Sequence, residues 1–300
     1  MAVNIRYGIA AFAAVACLTA TPSVARTSEV TRSVVKRGPV QIEVVEQGKG
    51  RAIVILPSLG RSAEDYDKVA EYLAEDGFRV IRPEPRGIKN SRGPMADLTL
   101  HDFAADVAMV MDDRKTGSAI IVGHAWGSQP ARMLAVDRPD LVQGVVMAAA
   151  SVGKLPPGST EKPYGRLREA IDGSGNPKLP REQRLTYLKQ AFFAPGNDPS
   201  SWLEGWYHET HDAQAHARNV TPINTYFSAG KSVPILDLQG EHDAVVVKNV
   251  LQALVGDRVE TKVITGSGHA MAPEQPKKMA DAIAAFANRI YAKPTKLAVR

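Results

Sequence analysis

The chain has 300 residues, of which 44% are hydrophobic and 23% are charged, and its formal net charge is +5. This size and composition suit one large α/β domain and exclude a disordered, collagen-like or repetitive chain. The basic excess is mild and contains no run of five basic residues, so nucleic-acid binding is not indicated.

The first residues are typical of a secretory signal peptide. A basic start ends at Arg6, small apolar residues cover 7–20, and Ser23-Val24-Ala25 fits a small-x-small cleavage site. The apolar run is too short to cross a membrane comfortably. We therefore predict a signal peptide over residues 1–25, a periplasmic or secreted mature chain, and no stable membrane span after cleavage. A retained anchor and a lipid on Cys17, the only cysteine, are less favoured alternatives.

Short apolar runs alternate with amphipathic runs between residues 31 and 147. Regular alternation of strands and helices predicts a mostly parallel central sheet flanked by helices, and strands that are apolar throughout fit burial on both faces. The predicted strands cover 34–36, 40–45, 52–56, 78–81, 118–122 and 142–147, and the predicted helices cover 63–74, 98–111 and 128–137.

The alternation breaks over residues 153–230, which are rich in Pro, Gly and aromatic residues and show no clean strand. We predict an inserted helical lid there, with helices at 166–171, 182–193, 200–215 and 223–227. Strands at 233–238 and 259–264 and helices at 245–253 and 276–291 then resume the first pattern. The predicted organisation is a core over 26–152 and 231–293, a lid over 153–230, and a tail over 294–300.

The strongest local signal is Gly123-His124-Ala125-Trp126-Gly127, which lies between a predicted buried strand and a predicted helix. This spacing is typical of a nucleophile elbow, where the central residue occupies a sharp, strained turn and the glycines allow close approach of strand and helix. The chain here resembles the α/β-hydrolase superfamily, and we predict the α/β-hydrolase fold. Ala125 stands at the nucleophile position and has no group with which to attack.

Two later segments strengthen the resemblance. Gly240-Glu241-His242-Asp243 follows a late strand, and Gly266-Ser267-Gly268-His269 follows the last strand. The resemblance implies Asp243 as the catalytic acid and His269 as the catalytic histidine, and the order elbow, acid, histidine is the one that this fold uses. An N-cap role for Asp243 and a polar loop role for His269 are the structural alternatives.

The loop after the third strand reads Leu56-Pro57-Ser58-Leu59-Gly60-Arg61, where the superfamily usually has His-Gly. The resemblance implies an oxyanion hole formed by the backbone N–H groups of Leu59 and Trp126, because backbone donors survive a change of side chain. Ser58 is a possible relocated nucleophile, and Ser128 is a weaker one.

Other polar residues are given structural interpretations. Arg86 belongs to the segment Pro83-Glu84-Pro85-Arg86-Gly87, which resembles the superfamily's Asp-x-Arg-Gly turn with Pro83 in place of the acid, and we expect Arg86 to pin loops. His208 and His211 share one helix face, but His-x-x-His is a loose spacing, so a polar lid helix is favoured over a metal pair. We predict neither a metal nor a cofactor, and a small molecule as the substrate or ligand.

Four interpretations of the site stay open. The protein could hydrolyse a small ester-like substrate with a His269–Asp243 dyad that activates water, or use this dyad as a general base for lyase or oxygenase chemistry. It could also be a ligand-binding module without chemistry, or a serine enzyme with an engineered alanine. A pure binding module needs neither Asp243 nor His269, so the sequence favours a hydrolase with an atypical triad.

Overall fold

The structure is a computed structural model, and it describes residue 1 and residues 28–150, 152–160 and 167–292. The predicted signal peptide beyond its first residue, including Cys17, lies outside the described residues, as does the predicted tail over 294–300. These segments stay predictions.

Eight strands of the described chain form one sheet in the order β1-β2-β4-β3-β5-β6-β7-β8. The pairs β1–β2 and β2–β4 are antiparallel, and every other pair is parallel. The strands are β1 (Val30–Arg37), β2 (Val40–Gly48), β3 (Ala52–Leu56), β4 (Arg79–Pro83), β5 (Ala119–His124), β6 (Val142–Ala148), β7 (Ile235–Gly240) and β8 (Val259–Ile264). The predicted α/β-hydrolase fold with a mostly parallel sheet is confirmed.

Helices cover both faces of this sheet, as the alternating pattern predicts. The helices of the described chain are α1 (Asp67–Glu75), α2 (Leu100–Asp113), α3 (Ser128–Asp137), α4 (Arg168–Ser174), α5 (Arg181–Ala191), α6 (His208–Val220), α7 (Ile223–Tyr226), α8 (Val250–Val255), α9 (Met271–Glu274) and α10 (Pro276–Tyr291). Apolar residues of α1 and α10 pack on one face, and those of α2, α3 and α8 pack on the other. The central strands β3 and β5 are buried along their whole length, because both of their faces are covered.

Two predicted helices are wrong in their extent. The predicted helix at 200–215 is a short 3₁₀ turn at Pro199–Trp202 followed, after a break, by α6 from His208, because Gly205 takes a φ of 79° that no α-helix allows. The predicted helix at 245–253 starts only at Val250, since Asn249 before it is left-handed with a φ of 61°. The loop that carries Asp243 is therefore longer than the sequence pattern indicates.

The described part of the chain between β6 and β7, called the helical insert below, contains α4 to α7 and lies over the carboxyl ends of the parallel strands. Its helix α6 contacts the loop after β3, and Trp202 and Trp206 pack beside that loop. Across the described ranges, no helix combines the length and apolar character needed to cross a membrane.

Candidate active site

The turn between β5 and α3 has the backbone of a nucleophile elbow. Ala125 has a φ of 48°, a left-handed conformation that is strained for any residue with a Cβ. A Cβ on Gly127 would lie 2.4 Å from the backbone oxygen of Leu56, and one on Gly123 would lie 2.4 Å from that of Gly127. The two glycines therefore permit the strand–helix contact that brings Ala125 to the surface of a cavity.

Asp243 and His269 meet beside this elbow, although 26 residues separate them. The loop after β7 carries Asp243, and the loop after β8 carries His269. His269 Nδ1 and Asp243 Oδ2 are 3.0 Å apart, and both side chains are buried. Because parallel strands end at the same edge of the sheet, the topology alone brings these two loops together.

The Asp243 carboxylate is held ionised by its surroundings. Its burial raises the pKa, but the His269 ring and the backbone N–H groups of Val245 and Val246 outweigh this effect and hold the pKa below its usual value. A carboxylate only accepts hydrogen bonds, so His269 carries a proton on Nδ1 and, when neutral, leaves a lone pair on Nε2. His269 lines the cavity, and its Nε2 makes no hydrogen bond within the described chain.

Ala125, His269, Ser58, Leu59 and Trp126 share the wall of a cavity of about 340 Å³. The structure thus brings every predicted site residue except Asp243 to one cavity, and Asp243 lies directly behind His269. The backbone N–H of Leu59 has no acceptor in the described part of the protein, so it is available to an incoming oxygen atom.

The helical insert holds the loop that carries Leu59. The backbone N–H of Gly60 donates to Gln214 Oε1 at 2.7 Å, and the backbone oxygen of Gly60 accepts from Tyr207 at 3.0 Å. The backbone oxygen of Gln214 in turn accepts from the Trp126 indole at 3.0 Å. One helix of the insert therefore connects both segments from which the predicted oxyanion donors come.

A second clamp between the insert and the core is Arg61, which is almost fully buried. Its guanidinium lies 4.8 Å from the ring centres of both Trp202 and Trp206. It also makes two hydrogen bonds, of 2.7 and 2.9 Å, to Asp65 and donates to the backbone oxygen of Glu204. The same tryptophans line the cavity, so this cation fixes the shape of the cavity wall.

The remaining candidate residues have different surroundings. Ser58 lines the cavity, but it makes no hydrogen bond with His269 in this conformation. Ser128 points into packing and donates to the backbone oxygen of Ala125 at 2.7 Å. His208 and His211 lie on the cavity side of α6, and no cluster of three or more His, Cys, Asp or Glu residues suited to a metal occurs in the described ranges.

Arg86 pins loops, as the sequence predicts. Its guanidinium makes two hydrogen bonds to the buried Asp106, at 2.7 and 2.8 Å, and donates to the backbone oxygen of Pro94. Glu84, for which the sequence gives no role, accepts from Ser62 Oγ and the backbone N–H of Ala63, and burial raises its pKa to about 7. Both side chains therefore fix loops behind the site.

Sequence reasoning missed several polar residues of the site. Gln129 lines the cavity, and its buried Oε1 has no partner among the described residues. His124 and Tyr66 lie fully buried behind the cavity floor. His124 belongs to the elbow motif, which could have drawn attention to it, whereas nothing in the sequence connects Tyr66 with residues that lie 58 positions away.

Comparison with known proteins places this geometry in a family. Residues 51–276 match the family model described as alpha/beta hydrolase fold. A non-heme haloperoxidase of Rhodococcus erythropolis is 28% identical over 244 residues, which cover 75% of this chain and 87% of that protein. An epoxide hydrolase of Caballeronia sordidicola is 30% identical over 126 residues, 40% of this chain, and the match spans only 38% of that enzyme.

Solved structures show the same architecture. An esterase of Exiguobacterium antarcticum superposes with a TM-score of 0.69 at 17% identity and covers 86% of this chain and 100% of its own. At this level of identity the likeness concerns the fold alone.

Proposed function

This chain belongs to the alpha/beta hydrolase fold family, and we propose that it hydrolyses a small ester-like substrate with the His269–Asp243 dyad as base and with water as the nucleophile. The observation that carries this proposal is the 3.0 Å contact between His269 Nδ1 and Asp243, on a ring that lines the same cavity as Ala125 and whose Nε2 has no hydrogen-bond partner among the described residues.

A water molecule bound between His269 Nε2 and the Ala125 methyl group would occupy the region where a serine hydroxyl stands in related enzymes. The oxygen of this water bonds to the carbonyl carbon of the substrate, and His269 takes a proton from the water in the same step. The carbonyl oxygen becomes an oxyanion, which accepts from the N–H groups of Leu59 and Trp126. Collapse of this intermediate breaks the bond to the leaving group, which receives the proton from His269, and an acid and an alcohol result.

Asp243 stabilises the imidazolium formed in this sequence and keeps the His269 ring in the required tautomer. Because Ala125 cannot be acylated, no acyl-enzyme forms, and the reaction needs one round of attack and collapse instead of the two that a serine enzyme needs. The proposal therefore implies slower turnover than in a serine enzyme, since the reactive oxygen is held by hydrogen bonds and not by the chain.

The cavity supports a substrate of modest size with an apolar group. Its volume of about 340 Å³ lies at the small end of ligand pockets. Phe192, Trp202 and Trp206 contribute aromatic surface, whereas Ser58 and Gln129 contribute polar groups near the reacting centre. We propose aryl or short-chain esters and lactones as the first compounds to assay. We also propose that the reaction takes place outside the cytoplasm, which the sequence of residues 1–25 supports.

The experiment that tests this proposal restores the missing hydroxyl. Ala125→Ser should place Oγ within reach of His269, so that a serine-directed phosphonate labels position 125 covalently. The unsubstituted chain should hydrolyse esters without being labelled, and Ala125→Ser/His269→Gln is the matched control that should resist labelling. Intact-protein mass spectrometry and peptide mapping detect the adduct.

Failure of a folded Ala125→Ser variant to react would mean that the dyad or the hole is not competent, and the protein would then be a ligand-binding module. Labelling of the unsubstituted chain at Ser58 would show a relocated nucleophile and would also contradict the proposal. If the Ala125→Ser variant is labelled but the unsubstituted chain hydrolyses no ester, the proposed hydrolysis is wrong. This result would favour His269 as a general base in lyase or oxygenase chemistry.

A further inference from the structure

Three hydrogen bonds run in series behind the floor of the cavity and connect segments that are far apart in the sequence. The backbone N–H of Ser58 donates to Tyr66 Oη at 3.2 Å. Tyr66 Oη and His124 Nδ1 are 2.6 Å apart, and His124 Nε2 lies 2.8 Å from the backbone oxygen of His269. We call this series the Tyr66–His124 relay.

The two ends of the relay determine where its protons lie. The backbone oxygen of His269 can only accept, so His124 must carry its proton on Nε2. A histidine protonated only on Nε2 has a lone pair on Nδ1, which must therefore accept the hydroxyl proton of Tyr66. The tyrosine oxygen is then free to accept from Ser58, whose N–H can only donate. Every group is satisfied in this one arrangement.

Burial keeps this arrangement uncharged. Tyr66 and His124 are both fully buried, and their rings meet edge to face at 5.8 Å. Burial and the nearby His269 lower the pKa of His124 to about 3, while burial raises the pKa of Tyr66 well above its usual value. The relay is therefore a permanent structural connection at ordinary pH and not a titrating switch.

The relay connects the three parts of the candidate site. Ser58 directly precedes Leu59, which offers one oxyanion donor, and His124 directly precedes Ala125. The far end of the relay is the backbone of His269, which supplies the base. We propose that Tyr66 and His124 are positioning residues that fix the distance between the oxyanion loop, the elbow and the loop of the base.

The effect of these residues on catalysis rests on the proposed function, but the relay itself does not. The insert holds the oxyanion loop from above, through Gly60 and Arg61. On the other side of this loop, the relay connects the backbone of Ser58 to the backbone of His269 through Tyr66 and His124. Removal of the Tyr66 hydroxyl leaves the Ser58 N–H and His124 Nδ1 buried without partners. A shift of about 1 Å between donor and base can cost on the order of 10²-fold in rate.

Tyr66→Phe in the Ala125→Ser background tests the proposal, because the rate of phosphonate labelling reports the joint geometry of hydroxyl, base and hole. The matched control is Tyr291→Phe. The Tyr291 hydroxyl likewise accepts a backbone N–H, that of Ile120 at 2.9 Å, and donates to the backbone oxygen of Ala52, but at the opposite edge of the sheet. Both substitutions remove one hydroxyl with two partners.

We expect Tyr66→Phe to reduce the labelling rate about 10- to 100-fold and Tyr291→Phe to leave it within about twofold. Equal effects of the two substitutions would show a general loss of stability and would overturn the positioning role. An unchanged rate in Tyr66→Phe would overturn it as well.

A second measurement needs no variant and no reactivity. Nitrogen-15 NMR of the imidazole rings in the unsubstituted chain should show His124 as a neutral ring protonated on Nε2 and unchanged between pH 5 and 8. A ring protonated on Nδ1, or one that titrates in this range, would overturn the relay. If Ala125→Ser is not labelled at all while His124 shows the expected tautomer, the proposed hydrolysis fails and the relay stands.

Discussion

The elbow side of the cavity and its base side are built differently, although the rings of His124 and His269 lie only 5.5 Å apart. On the base side, His269 pairs with the buried carboxylate of Asp243 through Nδ1, lines the cavity, and has no hydrogen-bond partner for Nε2 among the described residues. On the elbow side, His124 pairs with no carboxylate in the part of the chain that the structure describes. Its Nδ1 is hydrogen-bonded to the Tyr66 hydroxyl, and its Nε2 is hydrogen-bonded to the backbone oxygen of His269. The comparison shows that a buried histidine is available for chemistry only where a ring nitrogen is free.

The elbow side also has a strained backbone at Ala125, although Ala125 is not a nucleophile. Ala125 holds a left-handed conformation whose usual purpose is to present a reactive hydroxyl, yet its side chain is a methyl group. The tight turn is therefore a property of the packing between β5 and α3, where Gly123 and Gly127 meet neighbouring backbone, and does not depend on the chemistry at position 125.

The largest effect is expected on the base side. Asp243→Asn should lower kcat/KM for ester hydrolysis by roughly 10²- to 10⁴-fold, because an amide can no longer stabilise the imidazolium and can turn the ring to the wrong tautomer. Steady-state kinetics on an aryl ester measures this. Asp237→Asn is the matched control, since Asp237 is a buried aspartate on β7 whose partner is Gln239. Similar losses of kcat/KM in both variants would show that Asp243 matters only as a buried aspartate and would contradict its role beside His269.

A smaller effect is expected from the pH dependence of stability on the elbow side. The pKa of His124 falls from 6.5 to about 3 in the folded state. Its contribution to stability is therefore complete above pH 6.5 and is lost as the pH falls towards 3. His124→Gln keeps an N–H for the backbone oxygen of His269 but cannot titrate. The stability advantage of the parent over this variant should shrink by about 2–3 kcal/mol between pH 6.5 and 4.5.

Denaturant unfolding of both proteins in the same buffers gives this difference. The variant is needed because Glu84 and Asp237, whose pKa values burial raises to about 7 and about 6, change stability in the opposite direction over part of this range. Their contributions cancel between parent and variant. A difference that stays constant across this pH range would contradict the assignment of His124 as a buried neutral ring.

The smallest effect concerns the strained turn. Ala125→Gly should leave the free energy of unfolding unchanged or raise it by up to about 1 kcal/mol, since relief of the left-handed strain offsets the flexibility of glycine. Ala131→Gly, in the middle of α3, should lower it by about 1 kcal/mol or more because a helical alanine has no such strain. Equal losses measured by thermal or urea unfolding would show that position 125 is not strained.

The sequence by itself determined the architecture and the order of the site. Fully apolar strands alternating with amphipathic helices require a covered parallel sheet, and such a sheet brings the loops after its strands to one edge. Gly123-His124-Ala125-Trp126-Gly127, Asp243 and His269 each follow a strand, so local patterns were sufficient to predict that they share a site. The start of α10 at Pro276 was equally readable, because proline is favoured in the first turn of a helix.

Only the tertiary structure decided how these residues are held. The insert uses Gln214 and Arg61 to hold the oxyanion loop, and Tyr66 reaches His124 across 58 positions of sequence. Such contacts depend on which side chains meet when separate segments pack, and no periodicity or short motif encodes that meeting. The break of the predicted helix at 200–215 has the same origin, since the segment bends at Gly205 to place Trp202 and Trp206 around Arg61. Residues that are neighbours in the sequence determine the local pattern, whereas polar contacts between distant residues form only when the chain folds.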